Sequence, residues 1–346
     1  MRVLVTGGAG FIGSHVVDAL AEAGCEVVVI DALFAGAHER RPEYLNPLAE
    51  YRWADLRDGD AVSAALHGVT AVSHQASMVG LETSFEDVMG YVDNNDVGTA
   101  VLLREMHRKG FSGRLVLGSS MVVYGEGAYE CPEHGAVAAA PRLERELSAG
   151  RFDPPCPFCG GALDSVAVTE AAPLDPRNVY AATKLHQEHL CGVFARRTGA
   201  GLTALRYHNV YGPRMPRNTP YAGVASIFMS ALRAGRAARV TEDGRQLRDF
   251  VHVKDVARAN LAGLFLDDQE SGAFNIASGN PRSVGELARA LTDCMGGPAP
   301  VITGDFRLGD VRHVFASPAK AERSLGWRAE IEFEQGVNTF SYASSG

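Results

Sequence analysis

Tyr180 and Lys184 stand four residues apart in Asn178-Val179-Tyr180-Ala181-Ala182-Thr183-Lys184, which opens a helical pattern continuing through Leu185, His186, Glu188, Leu190 and Phe194. On a helix that spacing puts both side chains on one face, one turn apart. A phenol, with an ordinary pKa of about 10, is a poor base at neutral pH. A neighbouring ammonium favours the phenolate and brings it toward the working range. A surface tyrosine beside a surface lysine is the plain alternative. The pair becomes a proton-transfer device only if the rest of the chain supplies a hydride carrier and a substrate.

The elements that must position this pair begin at the first residues. Arg2-Val3-Leu4-Val5-Thr6 has the β-branched and aliphatic run of a buried parallel strand. Gly7-Gly8-Ala9-Gly10-Phe11-Ile12-Gly13 follows, and then a helical pattern through Val16, Val17 and Leu20. A glycine-rich turn between strand and helix suits a pyrophosphate: Gly7 for the turn, Gly10 for close approach, Gly13 for helix packing, and the helix N-terminus for the negative charge. Glu26–Ile30 reads as the second strand and ends at Asp31, 18 residues past Gly13, where a carboxylate can accept from ribose hydroxyls. That carboxylate repels a 2′-phosphate and favours NAD over NADP, although Arg40 and Arg41 lie nearby. Asp55-Leu56 and Gln75-Ala76, each after a further strand pattern, are expected to wall the same cleft. His74 reads as a packed strand residue. The Arg114–Leu117 strand ends at Ser119-Ser120, and Ser120 is placed to hydrogen-bond a reacting hydroxyl; Ser119 reads as a turn or capping serine. Pro213, Pro216 and Pro220 break regular structure, and Asn218, Tyr221 and Val224 lead into a helix through Leu232.

Composition narrows the classes. The chain has 346 residues, 46% apolar and 21% charged, with a net charge of −8. It is long enough for a large core and two lobes. The acidic balance argues against a nucleic-acid or anionic-membrane surface, so a phosphate must be held by local arginines. No apolar run approaches a membrane span and no signal peptide is visible, so a cytoplasmic protein is expected. Six cysteines, three of them clustered, do not form a secreted disulfide framework.

Gly7-x-x-Gly10-x-x-Gly13, Asp31, Ser120 and Tyr180-x-x-x-Lys184 together resemble the extended short-chain dehydrogenase/reductases, and within them the NAD-dependent nucleotide-sugar epimerase/dehydratase branch. Arg206-Tyr207-His208-Asn209-Val210-Tyr211-Gly212-Pro213-Arg214 and Arg248-Asp249-Phe250-Val251-His252-Val253 are similar to that branch as well. The resemblance implies an α/β fold: a doubly wound, Rossmann-type parallel sheet with a smaller C-terminal substrate-binding lobe. Residues 1–212 would form the NAD-binding domain, interrupted by an insertion at 126–170 and completed by part of 250–278. Residues 213–346 would form mainly the nucleotide-sugar lobe. It implies catalysis by Ser120, Tyr180 and Lys184, and cofactor contacts from Gly7, Gly10, Phe11, Ile12, Gly13, Asp31, Asp55, Leu56, Gln75, Ala76, Asn95, Tyr180, Lys184 and Tyr207. Ser120, Asn209, Arg248 and Arg312 would bind the sugar and clamp its diphosphate; Asp249 and Asp255 read as structural anchors. A tightly bound, unconsumed NAD, a nucleoside-diphosphate sugar (dTDP or UDP) and a homodimer are expected.

Two features discriminate within the branch. The 4,6-dehydratases and decarboxylases it contains carry proton-transferring carboxylates just after the active-site hydroxyl residue; this chain has Met121 and Val122 there. Dehydration is therefore disfavoured, and oxidation at C4 with return of the hydride, which is epimerisation, is expected. The insertion carries Cys131-Pro132-Glu133-His134 and Cys156-Pro157-Phe158-Cys159-Gly160-Gly161. These are paired ligands with two-residue gaps and 21 residues between the pairs. That pattern suits a closed, structural, tetrahedral zinc site, with idle reduced side chains as the alternative. The insertion resembles that of dTDP-L-rhamnose 4-epimerases and points to a dTDP-6-deoxyhexose. A UDP-hexose 4-epimerase, a 4-ketosugar reductase consuming NAD(P)H, and a non-catalytic NAD-binding scaffold are the alternatives.

Overall fold

Seven short aliphatic strands form one parallel sheet: β1 (Arg2–Thr6), β2 (Glu26–Asp31), β3 (Glu50–Trp53), β4 (Ala71–His74), β5 (Arg114–Ser120), β6 (Gly201–Tyr207) and β7 (Gly272–Ile276). The computed structural model describes residues 1–38, 40–80, 85–217, 222–266 and 270–343. The strand order is β7-β6-β5-β4-β1-β2-β3. It reverses direction between β1 and β4, where a doubly wound sheet opens its ligand crevice. Central strands read as continuous apolar runs because both faces are covered. Helices α1 (Phe11–Glu22) and α5 (Val253–Leu264) bury Val16, Val17, Leu20, Val256 and Ala259 against one face. Helices α2 (Gly98–Arg108) and α3 (Val179–Thr198) cover the other with Leu102, Met106, Cys191 and Phe194.

A second core lies outside the sheet. Helices α4 (Val224–Arg233), α6 (Val284–Met295) and α7 (Phe333–Tyr342) bury Phe228, Met229, Leu287, Leu291, Val337 and Phe340 around Tyr211. Ser283 closes a capping box with Glu286 at the start of α6, satisfying first-turn donors that would otherwise face solvent. The helix was expected to follow Asn218 and Tyr221; those two residues and Pro220 lie outside the described residues, and α4 begins at Val224.

The insertion is a small unit of its own. Strands Ala128–Cys131, Gly135–Val137 and Asp164–Val166 form an antiparallel sheet with Ala128–Cys131 in the middle. Just past its return strand the chain docks onto the C-terminal segment, where the Val168 N–H donates to the Phe315 carbonyl at 2.9 Å and the Ser317 N–H to the Val168 carbonyl at 3.0 Å. Among the described residues no helix is long and apolar enough to cross a membrane.

Candidate active site

The glycine-rich turn behaves as its sequence dictates. Gly7 has φ +69°, and a Cβ there would lie 2.7 Å from the Ala76 nitrogen, so the turn accepts only glycine. Gly10 precedes α1 with no side-chain cap, leaving first-turn amides available to an anion. Asp31 is fixed by two backbone donors, Ala9 N–H at 2.9 Å and Leu33 N–H at 2.8 Å. Its remaining lone pairs can accept from ribose hydroxyls. Arg40 pairs with Glu43, and the Arg41 guanidinium lies 4.8 Å over the Trp53 ring. Both cations that could have favoured a 2′-phosphate are thus engaged elsewhere.

From this turn a cleft of about 370 Å³ runs along the carboxyl ends of the strands to Ser120, Tyr180 and Lys184. Gly7, Gly10, Phe11, Ile12, Gly13, Asp31, Asp55, Leu56, Gln75, Ala76 and Tyr207 line it. Its elongated apolar floor, capless helix end and terminal carboxylate fit a dinucleotide. Tyr207 is pinned as wall, accepting from Asn260 at 2.8 Å and donating to Gln75 at 3.1 Å.

At the reactive end, Asn178 caps α3 by accepting from the Ala181 N–H at 2.8 Å. This sets the helix phase that turns Tyr180 and Lys184 inward. Tyr180 and Ser120 line the same end of the cleft, and the serine hydroxyl favours ionisation of the phenol. The expected lowering of the phenol does not occur in the protein alone. Burial of the hydroxyl pushes Tyr180 up to about 12, and the nearby Ser120 only partly opposes it. Burial also brings Lys184 down to about 8, so desolvation sets the state of both groups. Lys184 Nζ lies 3.5 Å from Ser77 Oγ. Met121 and Val122 occupy the turn after Ser120, in a short 3-10 helix.

The structure corrects several expectations. Ser120, not Ser119, is the capping serine, accepting from the Val122 N–H at 3.3 Å. Ser119 instead donates to Glu188 at 2.5 Å. Asn95 does not line the cleft: it is fully buried, donating to Met78 and Thr183 and accepting from Ser77 and Met78. Its side chain is committed to these protein partners and supports the wall beneath Lys184. Asn209 also stands off the cleft wall, and its Oδ1 is buried without a hydrogen-bond partner among the described residues.

Arg312 does not present a free guanidinium. It is 1% exposed and donates to Asp153 at 2.7 Å, Glu242 at 2.8 Å and both Asp243 oxygens at 2.7 and 2.9 Å. Three carboxylates already neutralise it, so the expected diphosphate clamp is not formed by this side chain. Arg248 is likewise turned to backbone, donating to the Leu247, Val311 and Arg312 carbonyls at 2.7–2.9 Å. Unlike Arg312 it bonds no carboxylate among the described residues, so its charge is not neutralised by a direct partner. As expected, Asp249 anchors the Ser278 and Gly279 amides, and His74 is packed between Thr6 and Thr99.

The structure adds one residue that sequence reading passed over inside its motif. His208, directly after Tyr207, lines the cleft, is 4% exposed, and has no hydrogen-bond partner at either ring nitrogen among the described residues. Burial, reinforced by Arg248, lowers it to about 3, so the ring is neutral.

Away from the cleft, Cys131, His134, Cys156 and Cys159 converge, with their ligand atoms all within 4.8 Å of one another. Cys131 Sγ lies 3.4 Å from His134 Nδ1 and 3.8 Å from Cys159 Sγ, and Cys156 Sγ lies 3.7 Å from His134 Nδ1. Burial opposes ionisation of Cys156, yet the Cys159 and Phe158 amides draw its thiol down to about 7.

Comparison with known proteins covers the whole length. The NAD dependent epimerase/dehydratase family profile matches residues 3–144, and that described as GDP-mannose 4,6 dehydratase matches residues 160–340. A dTDP-L-rhamnose 4-epimerase of Burkholderia thailandensis is 33% identical, over 97% of this chain and 93% of that protein. A UDP-glucose 4-epimerase of Bacillus subtilis is 31% identical, over 97% of this chain and 94% of that protein. The crystal structure of a Thermus thermophilus UDP-glucose 4-epimerase in complex with NAD is 31% identical. It superposes with a TM-score of 0.78 and covers 99% of this chain and 98% of that one.

Proposed function

We propose, for a chain that belongs to the NAD dependent epimerase/dehydratase family, that it is an NAD-dependent nucleotide-sugar 4-epimerase acting on a dTDP-6-deoxyhexose of the dTDP-L-rhamnose type. One observation carries the reading. Ser120, Tyr180 and Lys184 close the end of a dinucleotide-shaped cleft, and the two positions after Ser120 hold Met121 and Val122, which cannot move a second proton. The Gly7–Gly13 turn, Asp31 and Lys184 would hold NAD, which when bound would supply the acceptor and donor for the C4 hydride. Tyr180 takes the proton of the 4-hydroxyl as base and gives it back as acid. Ser120 bonds the same oxygen and keeps it in line with Tyr180 throughout. Because nothing in this set enolises the sugar, the hydrogen at C4 is conserved.

The test is proton NMR of purified protein with dTDP-L-rhamnose in deuterated water without added cofactor, run in parallel with UDP-glucose. A C4 epimer that retains its C4 hydrogen is expected. Deuterium entering at C3 or C5 would overturn the mechanism, and consumption of added NADH with release of a reduced sugar would favour a reductase. Conversion of UDP-glucose alone would leave the reaction standing and reassign the sugar. A homodimer belongs to the same reading: Met89, Val97 and Val193 expose apolar surface around the helices beside the site.

The insertion completes the proposal as a structural zinc site. Tetrahedral zinc with thiolate and imidazole ligands sets S–S edges of about 3.8 Å and S–N edges of about 3.5 Å. The Cys131–His134, Cys131–Cys159 and Cys156–His134 separations fall close to these edges. All four positions are protein ligands, so the ion would organise the insertion and take no part in the reaction. Elemental analysis of protein purified without chelator should find one zinc per chain, lost in Cys156→Ser/Cys159→Ser. Metal-free native protein with all four side chains reactive would reject the assignment.

A further inference from the structure

We infer that His208 is a specificity-determining residue that hydrogen-bonds the hexose ring of the bound substrate, an inference resting on the sugar-nucleotide reading above. Buried polar atoms are nearly always paired. An imidazole with both nitrogens buried and unpartnered among the described residues, on the wall of a ligand cleft, is built for a partner that arrives with the ligand.

Its position selects which part of the ligand. The parallel register sets Ser120 on β5 against Tyr207 on β6, so His208 lies one residue beyond the catalytic serine at the carboxyl end of the sheet. Its backbone is fixed there, the N–H donating to the Ile276 carbonyl at 3.1 Å. Ser120 and His208 line the same end of the cleft. A hexose ring spans the interval between its reacting C4 and the diphosphate on C1. The part of the ligand that meets Ser120 is that ring, so His208, one residue beyond in register, meets it too.

The chemistry matches as well. Burial keeps the ring neutral, so one nitrogen donates and the other accepts. A ring hydroxyl offers both a proton and lone pairs, whereas a diphosphate offers only acceptors and would leave one nitrogen unsatisfied. Tyr207 cannot substitute, because its hydroxyl is already committed to Gln75 and Asn260.

The experiment is calorimetric binding to the cofactor-loaded protein, wild type against His208→Phe and His208→Gln, with dTDP-L-rhamnose, UDP-glucose, free dTDP and free UDP as probes. Phenylalanine keeps the ring's footprint and removes both nitrogens; glutamine restores a donor and an acceptor. Expected for His208→Phe is at least about tenfold weaker binding of the preferred nucleotide sugar. The matching free nucleotide should bind unchanged, and His208→Gln should recover part of the loss. Equal weakening of sugar nucleotide and free nucleotide would overturn the assignment and place His208 on the diphosphate. Unchanged binding of both would overturn it outright. Failure of the wild-type protein to bind any of the four probes would overturn the sugar-nucleotide reading itself, and this inference with it.

Discussion

Replacing Glu188 by glutamine should destabilise the protein more than any single change on the surface. Glu188 sits on α3 one turn after Lys184, and its side chain is 9% exposed against 5% for its partner Arg206. The pair is bidentate, with Arg206 Nε at 3.0 Å and Nη2 at 2.8 Å, and Ser119 donates to the same carboxylate. Arg206 continues to the Tyr124 hydroxyl at 2.9 Å. Glutamine preserves shape but removes the charge and points an N–H₂ at donors. Breaking one partner of a buried pair costs about 3–5 kcal/mol, because the remaining charge is stranded. Glu188→Gln should therefore lose about that much in urea unfolding monitored with the cofactor saturating. The double variant Glu188→Gln/Arg206→Met removes the stranded cation and should recover most of the loss. A single-variant loss under about 1 kcal/mol, or strictly additive effects in the double variant, would refute the reasoning. The same network ties the end of β5, which carries Ser120, to the helix that carries Tyr180. Turnover should fall even under conditions where the variant is fully folded.

Three further outcomes follow from the site. Tyr180→Phe should lower kcat by about 10²–10⁴-fold while leaving the content of bound NAD unchanged, as measured after denaturation. Gly7→Ala forces a side chain onto the Ala76 backbone at positive φ; it should be recovered without nucleotide if it folds, and normal NAD content would contradict the turn geometry. Lys184→Met should be more stable than wild type by about 3 kcal/mol at pH 7. The folded protein holds this lysine at about 8, below its ordinary 10.5, so between those values the unfolded chain binds more protons and wild-type stability rises with pH. The variant's advantage should be full below pH 8 and fade as pH approaches 10.5. A pH-independent difference would mean that packing, not charge burial, sets it.

What could be read from the chain was what depends on near neighbours. The Gly7–Gly13 turn, Asp31 at a strand end and the shared helix face of Tyr180 and Lys184 are local, and each lands where its spacing puts it. The Cys/His cluster of the insertion was readable for the same reason, as two short turns. Arg312 was misread because its partners Asp153, Glu242 and Asp243 come from distant segments; nothing near it in sequence announces that its charge is already neutralised. Asn95 and Ser119 went the same way: each is a polar residue beside a motif, bonded to segments distant in sequence, Asn95 to Ser77, Met78 and Thr183 and Ser119 to Glu188. His208 was passed over inside a recognised motif, since an unsatisfied nitrogen is visible only once every neighbour is in place.

The clasp between the insertion and the C-terminal segment bears on how such enzymes can be recombined. Arg142 reaches from the insertion to Glu242 and the Asp310 carbonyl. Asp153 reaches Arg312, and Glu126 accepts the Arg312 amide. The Val311 and Arg312 carbonyls in turn receive Arg248. A graft that exchanged residues 126–170 for a relative's short loop would therefore strand a buried guanidinium and loosen the strip that seats another. Residues 126–170, 242–243 and 310–317 form one transplantable block, although its three parts lie far from one another along the chain.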